Sequence, residues 1–387
     1  MKILITTDWY KSAVNGVVTS VRNLEKGLRK QGHDVKILTL SENRSSYAED
    51  NVTYIGSLNA EKIYPSARIK IPLKSSLVKN INTWKPDVIH SQCEFSTFSL
   101  AKSISAVCGA PIIHTYHTIY EDYTHYFSPS IRLGRNAVKL FTRHISKYTS
   151  CMIVPTHKVK DILAAYRCDV PVEIIPSGLD FEEIQSDSDA SERMKLRKSL
   201  NIPDENKIIL YVGRLAAEKN LDEIIKYLGK AKPQNASFLV VGDGPCRKQL
   251  EQKIKSCGLT DSTVFTGMVS PDLVKDYYAL GDVFVSASQS ETQGLTYIEA
   301  LANGVPLLCR SDPCLDDVLL DGLNGFSFKA EQDFIKHLEF LLGSDTSEIR
   351  RFSRNFAEEN FSLDNFAERA AEIYARYAIS GIIPIRA

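Results

Sequence analysis

Four short strings in this sequence put charged residues and glycines where they could handle a phosphorylated ligand. The first is Val212-Gly213-Arg214-Leu-Ala-Ala-Glu-Lys219. A glycine lets the backbone turn close to a ligand, and an Arg and a Lys five residues apart can grip both phosphates of a diphosphate. A surface turn with two solvated cations would read the same way. The second is Ser290-Glu291-Thr-Gln-Gly294-Leu295-Thr296-Tyr-Ile-Glu299-Ala. Gly294, Leu295 and Thr296 fall at an expected helix start, where unpaired N–H groups and the helix dipole favour phosphate. Glu291 precedes that helix and Glu299 lies one to two turns inside it, so the two carboxylates can meet different parts of one ligand, such as sugar hydroxyls and a ribose. The alternative is an N-cap acid followed by a solvated helix acid.

The third string, Asn15-Gly16-Val17, enters the first helix. Its backbone either approaches a pyrophosphate or makes a plain turn. The fourth is His114-Thr-Tyr-His117-Thr-Ile-Tyr-Glu121-Asp122-Tyr. His114 lies within an apolar run and is expected to be a satisfied core residue. His117 falls just past the strand end, where a polar side chain meets ligand. An H-x-x-H pair suggests metal, but alternation along a strand sends residues three apart to opposite faces, so no zinc site is expected. Val241-Gly-Asp-Gly-Pro245 is glycine-rich too, yet it lacks the G-x-G-x-x-G spacing of a dinucleotide site.

These strings need a scaffold. Short β-branched runs alternate with longer amphipathic segments: strands over Lys2–Thr6, Val35–Leu40, Asp87–His90, Pro111–His114, Met152–Pro155 and Glu173–Pro176, with a helix over Val17–Gln31. The pattern then restarts. Strands are expected at Ile208–Gly213, Phe238–Gly242, Val264–Thr266, Val283–Ser286 and Val305–Cys309, with helices at Leu221–Ala231, Arg247–Gly258, Ser270–Leu280 and Thr296–Gly304. Such alternation predicts parallel sheets with helices on both faces. The fold class is therefore α/β, two Rossmann-like doubly wound domains facing a central cleft, with ligands beyond the carboxyl ends of the strands. The predicted division is residues 1–178 and 179–365, with Pro176-Ser-Gly-Leu-Asp180 and the polar tract Glu182–Ser191 as the hinge candidate. A C-terminal helix within about 366–387 is expected to pack back on the first domain.

The 387 residues are 43% hydrophobic and 24% charged, the range of a globular protein. The eight cysteines make no C-x-x-C pair and no zinc spacing, so free thiols are expected. Asp8 interrupts the N-terminal apolar run too early for a signal-peptide core, and Ser103–Tyr120, though free of Asp, Glu, Lys and Arg, holds a Gly-Ala-Pro turn and two histidines. No membrane span is expected. Net charge is zero, yet residues 1–178 hold 23 Lys+Arg against 14 Asp+Glu while 179–387 hold 24 against 33. Either the first half faces something anionic or the halves attract each other.

Taken together, Gly213-Arg214 with Lys219, the Glu291-x7-Glu299 motif, Gly242-Asp-Gly-Pro245 and Pro176-Ser-Gly-Leu-Asp180 make the sequence resemble the retaining glycosyltransferases of family 4, which have the GT-B architecture. The likeness runs over nearly the whole chain. Position 212 is Val where many members carry Gly, with Gly213 and Arg214 intact. The resemblance implies that Arg214 and Lys219 neutralise a departing nucleoside diphosphate, helped by backbone N–H groups at Gly16 and around Gly294, Leu295 and Thr296. It implies that Glu299 holds the ribose, Glu291 the donor sugar, His117 hydroxyls near the reacting carbon, and backbone at Met268 and Val269 the base. No metal or other cofactor is implied, since the cations do that work, and no Asp-x-Asp string occurs. Retention is implied by front-face attack, with the leaving phosphate taking the acceptor's proton.

A narrower likeness rests on Thr7-Asp8-Trp-Tyr, Asn15-Gly16-Val17-Val-Thr-Ser20, His90-Ser-Gln-Cys-Glu94-Phe-Ser and the His114–Tyr123 string. These are similar to bacterial diacylglycerol glucosyltransferases, which implies UDP-glucose as donor, diacylglycerol as acceptor and a place on the cytoplasmic, inner face of the cell membrane. The residues add their own argument. Between Asp122 and Asp161 there is no acid, but Arg132, Arg135, Lys139, Arg143, Lys147, Lys158 and Lys160 occur. The first five recur every three or four residues, one basic stripe on a helix, with Ile131, Val138, Leu140, Phe141 and Ile145 as apolar neighbours. Such a helix can lie on anionic lipid or simply be solvated. Lys62 to Lys85, with Arg68, Lys70, Lys74 and Lys79, is a second acid-free stretch. Nucleic acid is not expected of a neutral chain without its motifs. Rival readings are a polyprenyl-linked, wall-polymer or soluble acceptor, and a non-catalytic sugar-nucleotide-binding protein.

Overall fold

The computed structural model describes residues 1–10, 15–60, 67–71, 76–121 and 130–380. The chain forms two compact units, one of Met1–Gly178 with the segment from Leu363 onward, the other of Leu179–Ser362.

The strands of the first unit are β1 (Lys2–Thr6), β2 (Asp34–Leu40), β3 (Tyr47–Glu49), β4 (Val52–Ile55), β5 (Ser57–Asn59), β6 (Arg68–Lys70), β7 (Val88–Ser91), β8 (Ile112–Thr115), β9 (Cys151–Val154) and β10 (Val172–Ile174). Eight of them make one sheet in the order β10-β9-β8-β7-β1-β2-β4-β3, parallel except for β3 against β4; β5 and β6 form a separate antiparallel pair. Helices α1 (Gly16–Lys30), α2 (Ser76–Trp84), α3 (Ser96–Cys108), α4 (Ile131–Ser146) and α5 (His157–Ala165) connect them. Both faces of the sheet are covered, so its central strands are apolar throughout rather than alternating. Ile3, Ile5, Val88 and Ile113 pack with Leu24 and Leu28 of α1 on one face, and Leu4, Ile89 and Ile112 with Phe98, Ala101 and Ile104 of α3 on the other.

In the second unit, α6 (Phe181–Ile184) and α7 (Ala190–Ser199) lead to β11 (Lys207–Val212) and α8 (Leu221–Ala231). There follow β12 (Ala236–Val241), α9 (Arg247–Ser256), β13 (Thr263–Gly267), α10 (Val274–Leu280), β14 (Val283–Ser286), α11 (Leu295–Ala302), β15 (Leu307–Arg310), β16 (Gly325–Phe328), α12 (Glu331–Gly343) and α13 (Ser347–Phe361). Its six strands, all parallel, run β13-β12-β11-β14-β15-β16. The last helix, α14 (Leu363–Ser380), belongs to the first unit, where Phe366, Ala367, Ala370 and Tyr374 join Ile3, Ile5 and the buried side of α1.

The structure corrects some expectations. The tract Glu182–Ser191 is not the link between units. It is fastened inside the second one, where Gln185 donates to the Ala302 carbonyl at 3.2 Å and the Ser186 N–H to Asn303 Oδ1 at 3.0 Å. The helix expected from Ser270 begins only at Val274, because Ser270, Pro271 and Asp272 form a turn in which Ser270 hydrogen-bonds Asp272. Strands β3, β4, β5, β6 and β16 were not expected; β3, β5 and β6 are three-residue edge pieces too short for a pattern. Among the described residues no helix is long and apolar enough to cross a membrane, and all eight cysteines are free thiols.

Candidate functional site

In each unit the motif residues gather at the carboxyl ends of the strands, where strand order reverses. Such a switch point leaves a crevice because neighbouring loops turn to opposite faces. In the second unit it lies between β11 and β14. The loop after β11 carries Arg214 and Lys219, and the loop after β14 carries Glu291 and Gly294.

Lys219 closes a single 3-10 turn at Ala217–Lys219, and its Nζ donates to Glu291 Oε1 at 2.6 Å. Ser290 Oγ donates to the Glu218 carbonyl at 3.3 Å, tying the two loops together. Burial works against the Lys219 charge, but the carboxylate of Glu291, by charge and hydrogen bond, holds the ammonium above its ordinary range. The cation expected on a diphosphate and the acid expected on a sugar therefore hold each other. Arg214 is exposed, its carbonyl accepting from the Tyr211 hydroxyl at 3.1 Å. Its loop sits flush against the one after β12: Gly213 N–H donates to Val241 at 3.0 Å and Leu215 N–H to Asp243 at 3.0 Å. A Cβ on Gly242, whose φ is +129°, would stand 2.1 Å from the Gly213 oxygen. The string Gly242-Asp-Gly-Pro245 thus serves by letting the Arg214 loop lie against it.

Helix α11 begins at Leu295, one residue before the expected start, with Gly294 as its cap in the left-handed region at φ +75°. A Cβ there would strike the Tyr297 ring at 2.4 Å, so only glycine lets this helix N-terminus open toward the β14 loop. The first turn presents the N–H groups of Leu295 and Thr296, without an acid to occupy them. Glu299 lies one turn on, where its Oε2 accepts from the Tyr278 hydroxyl at 2.7 Å. Burial raises the Glu299 carboxyl above its ordinary range, partly offset by that bond. Met268, 70% exposed, and Val269, packed on the core, follow β13. Tyr278 was not singled out from the sequence; nothing in an apolar helix string marks one tyrosine as a carboxylate's partner.

In the first unit the order reverses between β1 and β7. After β1, Asn15 caps α1, its side chain accepting from the Val18 N–H at 3.0 Å, so Gly16 is the first helical residue with its N–H outside the ladder. After β7 come Gln92 and Glu94, and after β8 comes His117. The His117 Nε2 meets Gln92 Oε1 at 2.6 Å. His114 points to the other sheet face, edge-on to Phe98 of α3 at 5.6 Å between ring centroids, so the two imidazoles diverge as alternation requires. The expectation of a satisfied core histidine is corrected: His114 is buried with both ring nitrogens lacking a hydrogen bond, and its Nε2 faces Glu94 Oε1 at 3.4 Å. Glu94 Oε2 accepts from Tyr120 at 2.5 Å. Asp8, at the end of β1, accepts from the Thr97 N–H at 2.8 Å and its hydroxyl at 2.6 Å, capping α3 from across the sheet. Burial lifts the Asp8 carboxyl to about 6 despite these bonds. His117 is held down to about 4, by burial and the neighbouring His114 against the pull of Glu94.

The basic helix α4 divides differently from the sequence expectation. Val138 and Ile145 face the core, because positions seven apart share a helix face. Leu140 is 64% exposed, and so is Leu133 at 66%, which the sequence reading passed over. Arg132, Arg135 and Lys147 are exposed, and Lys139 and Arg143 half-buried. Lys147 caps the helix rather than lying within it, and Arg135 Nε stands 3.5 Å from Glu121 Oε2. Phe141 stacks on Phe95, itself 48% exposed, with ring centroids 5.7 Å apart. The Ile131 side chain, Asp122, Lys62 and Lys74 lie outside the described residues.

Two doubly wound units, each with its polar residues at the switch point, define the GT-B class of glycosyltransferases. The chain belongs to glycosyltransferase family 4: residues 14–183 match the Glycosyltransferase Family 4 profile and residues 192–359 that of glycosyl transferases group 1. It is 34% identical to the alpha-monoglucosyldiacylglycerol synthase of Streptococcus pneumoniae over 98% of this chain and 87% of that protein. It is also 34% identical to the protein of that name from Acholeplasma laidlawii, over 87% of each. Among solved structures, Anabaena HepE in complex with UDP and glucose shares the fold with a TM-score of 0.74 at 17% identity, covering 97% of this chain and all of that one.

Proposed function

We propose that this glycosyltransferase moves a glucosyl group from UDP-glucose to diacylglycerol with retention, while resting peripherally on the anionic inner face of the cell membrane. The observation that carries the transfer reading is the Lys219–Glu291 pair beside the glycine-capped start of α11. In this reading Lys219 and Arg214 take the charge of the leaving diphosphate, with the N–H groups of Gly16, Leu295 and Thr296 on its oxygens. Glu299 accepts from the ribose, backbone at Met268 and Val269 meets the base, Glu291 accepts from the glucose, and His117 bonds a hydroxyl near the anomeric carbon. The acceptor hydroxyl attacks that carbon on the face from which UDP departs. One C–O bond to phosphate breaks, one to the acylglycerol forms, and the β-phosphate takes the proton. The two side-chain cations supply the charge, so the proposal needs no metal.

The lipid acceptor is supported by the names of the two 34%-identical relatives, both alpha-monoglucosyldiacylglycerol synthases, and by α4. Leu133 and Leu140 stand exposed beside Arg132, Lys139 and Arg143, and Phe95 with Phe141 extends the apolar area. Cations with protruding leucines suit an anionic lipid surface, each cation contributing on the order of 1 kcal/mol near it. The test is transfer of radiolabel from UDP-glucose into extractable lipid, with dioleoylglycerol in anionic vesicles. Label released by an α- but not a β-glucosidase supports donor, acceptor and stereochemistry together. UDP release without labelled lipid discards diacylglycerol and points to a polyprenyl-linked, polymeric or soluble acceptor.

A further inference from the structure

We propose that Arg310 is a positioning residue for the donor site: through Glu223 and Asn220 it fixes the turn that aims Lys219 at the diphosphate. The inference rests on the phosphate role given above to Lys219, and the experiment below separates the two.

Lys219 is the last residue of its 3-10 turn, and Asn220 then reverses the chain into α8 with φ +50° and ψ +37°. That left-handed conformation is unfavourable for most side chains and tolerated by asparagine. Asn220 also stands at the N-cap of α8, where an asparagine ordinarily has extended backbone and accepts from an N–H of the first turn. Here its side chain makes no such bond. It is turned to Glu223 instead, with Nδ2 donating to Oε2 at 2.6 Å. A side chain well suited to capping is thus diverted to a carboxylate. The Asn220 backbone is held on both sides as well: its N–H closes the turn on the Ala217 carbonyl at 3.1 Å, and its own carbonyl accepts from the Glu223 N–H at 3.2 Å. Fixing Asn220 therefore fixes the residue before it.

Glu223 is held from another strand. Its Oε1 accepts from the Arg310 guanidinium, the two side chains being 15% and 27% exposed, and the Tyr227 hydroxyl, one turn on in α8, bonds the same pair. Arg310 ends β15, and β14 lies between β15 and β11. The chain Asn220–Glu223–Arg310 consequently joins the two strands that flank β14, whose loop carries Ser290 and Glu291. Lys219 is tied at two points, at its ammonium by Glu291 and through its backbone by this chain. A ligand treats the two ties differently. A phosphate oxygen that takes the N–H from Glu291 ends the first. The second uses none of the groups assigned to the donor, so it stays to hold the stem of Lys219. A long side chain whose base is fixed loses less freedom when its tip meets a ligand, which favours binding.

The test is titration calorimetry of the full chain with UDP. Arg310→Met removes the donor to Glu223 while keeping a stem, and should weaken UDP about two- to fivefold, in the range of residues that share one network. Arg310→Lys restores a donor and should recover most of the loss. The decisive measurement repeats Arg310→Met in a Lys219→Ala background, where it should have no further effect. A general loss of structure, or a direct pull of the Arg310 charge on UDP, would persist there. Asn220→Gly adopts the left-handed backbone without strain but lacks the amide; it serves should Arg310→Met fold poorly, and should weaken UDP by a like factor only when Lys219 is present. Unaltered UDP affinity in either folded variant, or an equal loss with and without Lys219, overturns the proposal. Lys219→Ala alone separates the causes. If it weakens UDP while Arg310→Met does not, the phosphate role stands and only the positioning chain falls, whereas wild-type affinity in Lys219→Ala removes both.

Discussion

Removing the ammonium at Lys219 while leaving its partner in place tests the donor site most directly. A charge-assisted hydrogen bond contributes about 1.5–3 kcal/mol, the gain expected when Nζ meets a diphosphate oxygen. In the structure that same Nζ donates to Glu291 at 2.6 Å, both side chains being about one-fifth exposed (22% and 18%). A phosphate oxygen that takes this N–H from Glu291 would break the pair. With its exposure discounted, it is worth on the order of 1 kcal/mol. The net loss for Lys219→Ala is then about 0.5–2 kcal/mol, roughly 2- to 30-fold in UDP affinity. Glu291→Gln should act in the opposite direction. UDP has no sugar for Glu291 to hold, so losing the competing carboxylate should tighten UDP about fivefold, while glucosyl transfer slows. Titration calorimetry with UDP reads both variants and their combination. Unchanged affinity in Lys219→Ala refutes its phosphate role, and a Glu291→Gln variant that weakens UDP as much as Lys219→Ala refutes the competition.

Gly294→Ala places a Cβ at φ +75° against the Tyr297 ring, at a cost of about 1–3 kcal/mol; thermal unfolding should drop by several degrees and UDP binding weaken, and an unaltered Tm would show that the α11 cap is not strained. Asp8 should reveal itself in the pH dependence of stability. Its folded pKa of about 6 lies above the unfolded value of 3.8, so the folded state holds the proton more tightly and wild-type stability falls as pH rises through that window. Asp8→Asn does not titrate, so its stability relative to wild type should improve between pH 4 and 7, by at most about 3 kcal/mol; a difference that stays flat with pH would dismiss the buried acid. Leu133→Asp with Leu140→Asp, both at exposed positions, should abolish sedimentation with anionic vesicles yet leave Tm and UDP affinity unchanged, and retained vesicle binding would move the membrane surface off α4.

The type and order of the central elements were legible in the sequence. Buried parallel strands such as β1, β11 and β14 are nearly unbroken apolar runs, and amphipathic helices such as α1 and α8 carry their repeat within a dozen or so residues. The strand-end strings were legible for a related reason. Glycine and charge directly after an apolar run break the local pattern, which is how Arg214, Lys219, Glu291 and Gly294 stood out. Edge pieces such as β3, exposed along its length, have no such pattern to show.

Partnership was not legible, because it depends on which strands lie side by side. Lys219 meets Glu291 across 72 residues because β11 and β14 are neighbours at the switch point. His117 meets Gln92 because β7 and β8 pair in a register that puts both on one face. Asp8 caps α3 from 89 residues away, and Tyr374 reaches His90 across 284. The division of α4 into a buried Val138 and Ile145 and an exposed Leu133 and Leu140 has the same origin. A helical repeat names the residues that share a side. Only packing against the sheet decides which apolar side chains it covers and which it leaves facing outward.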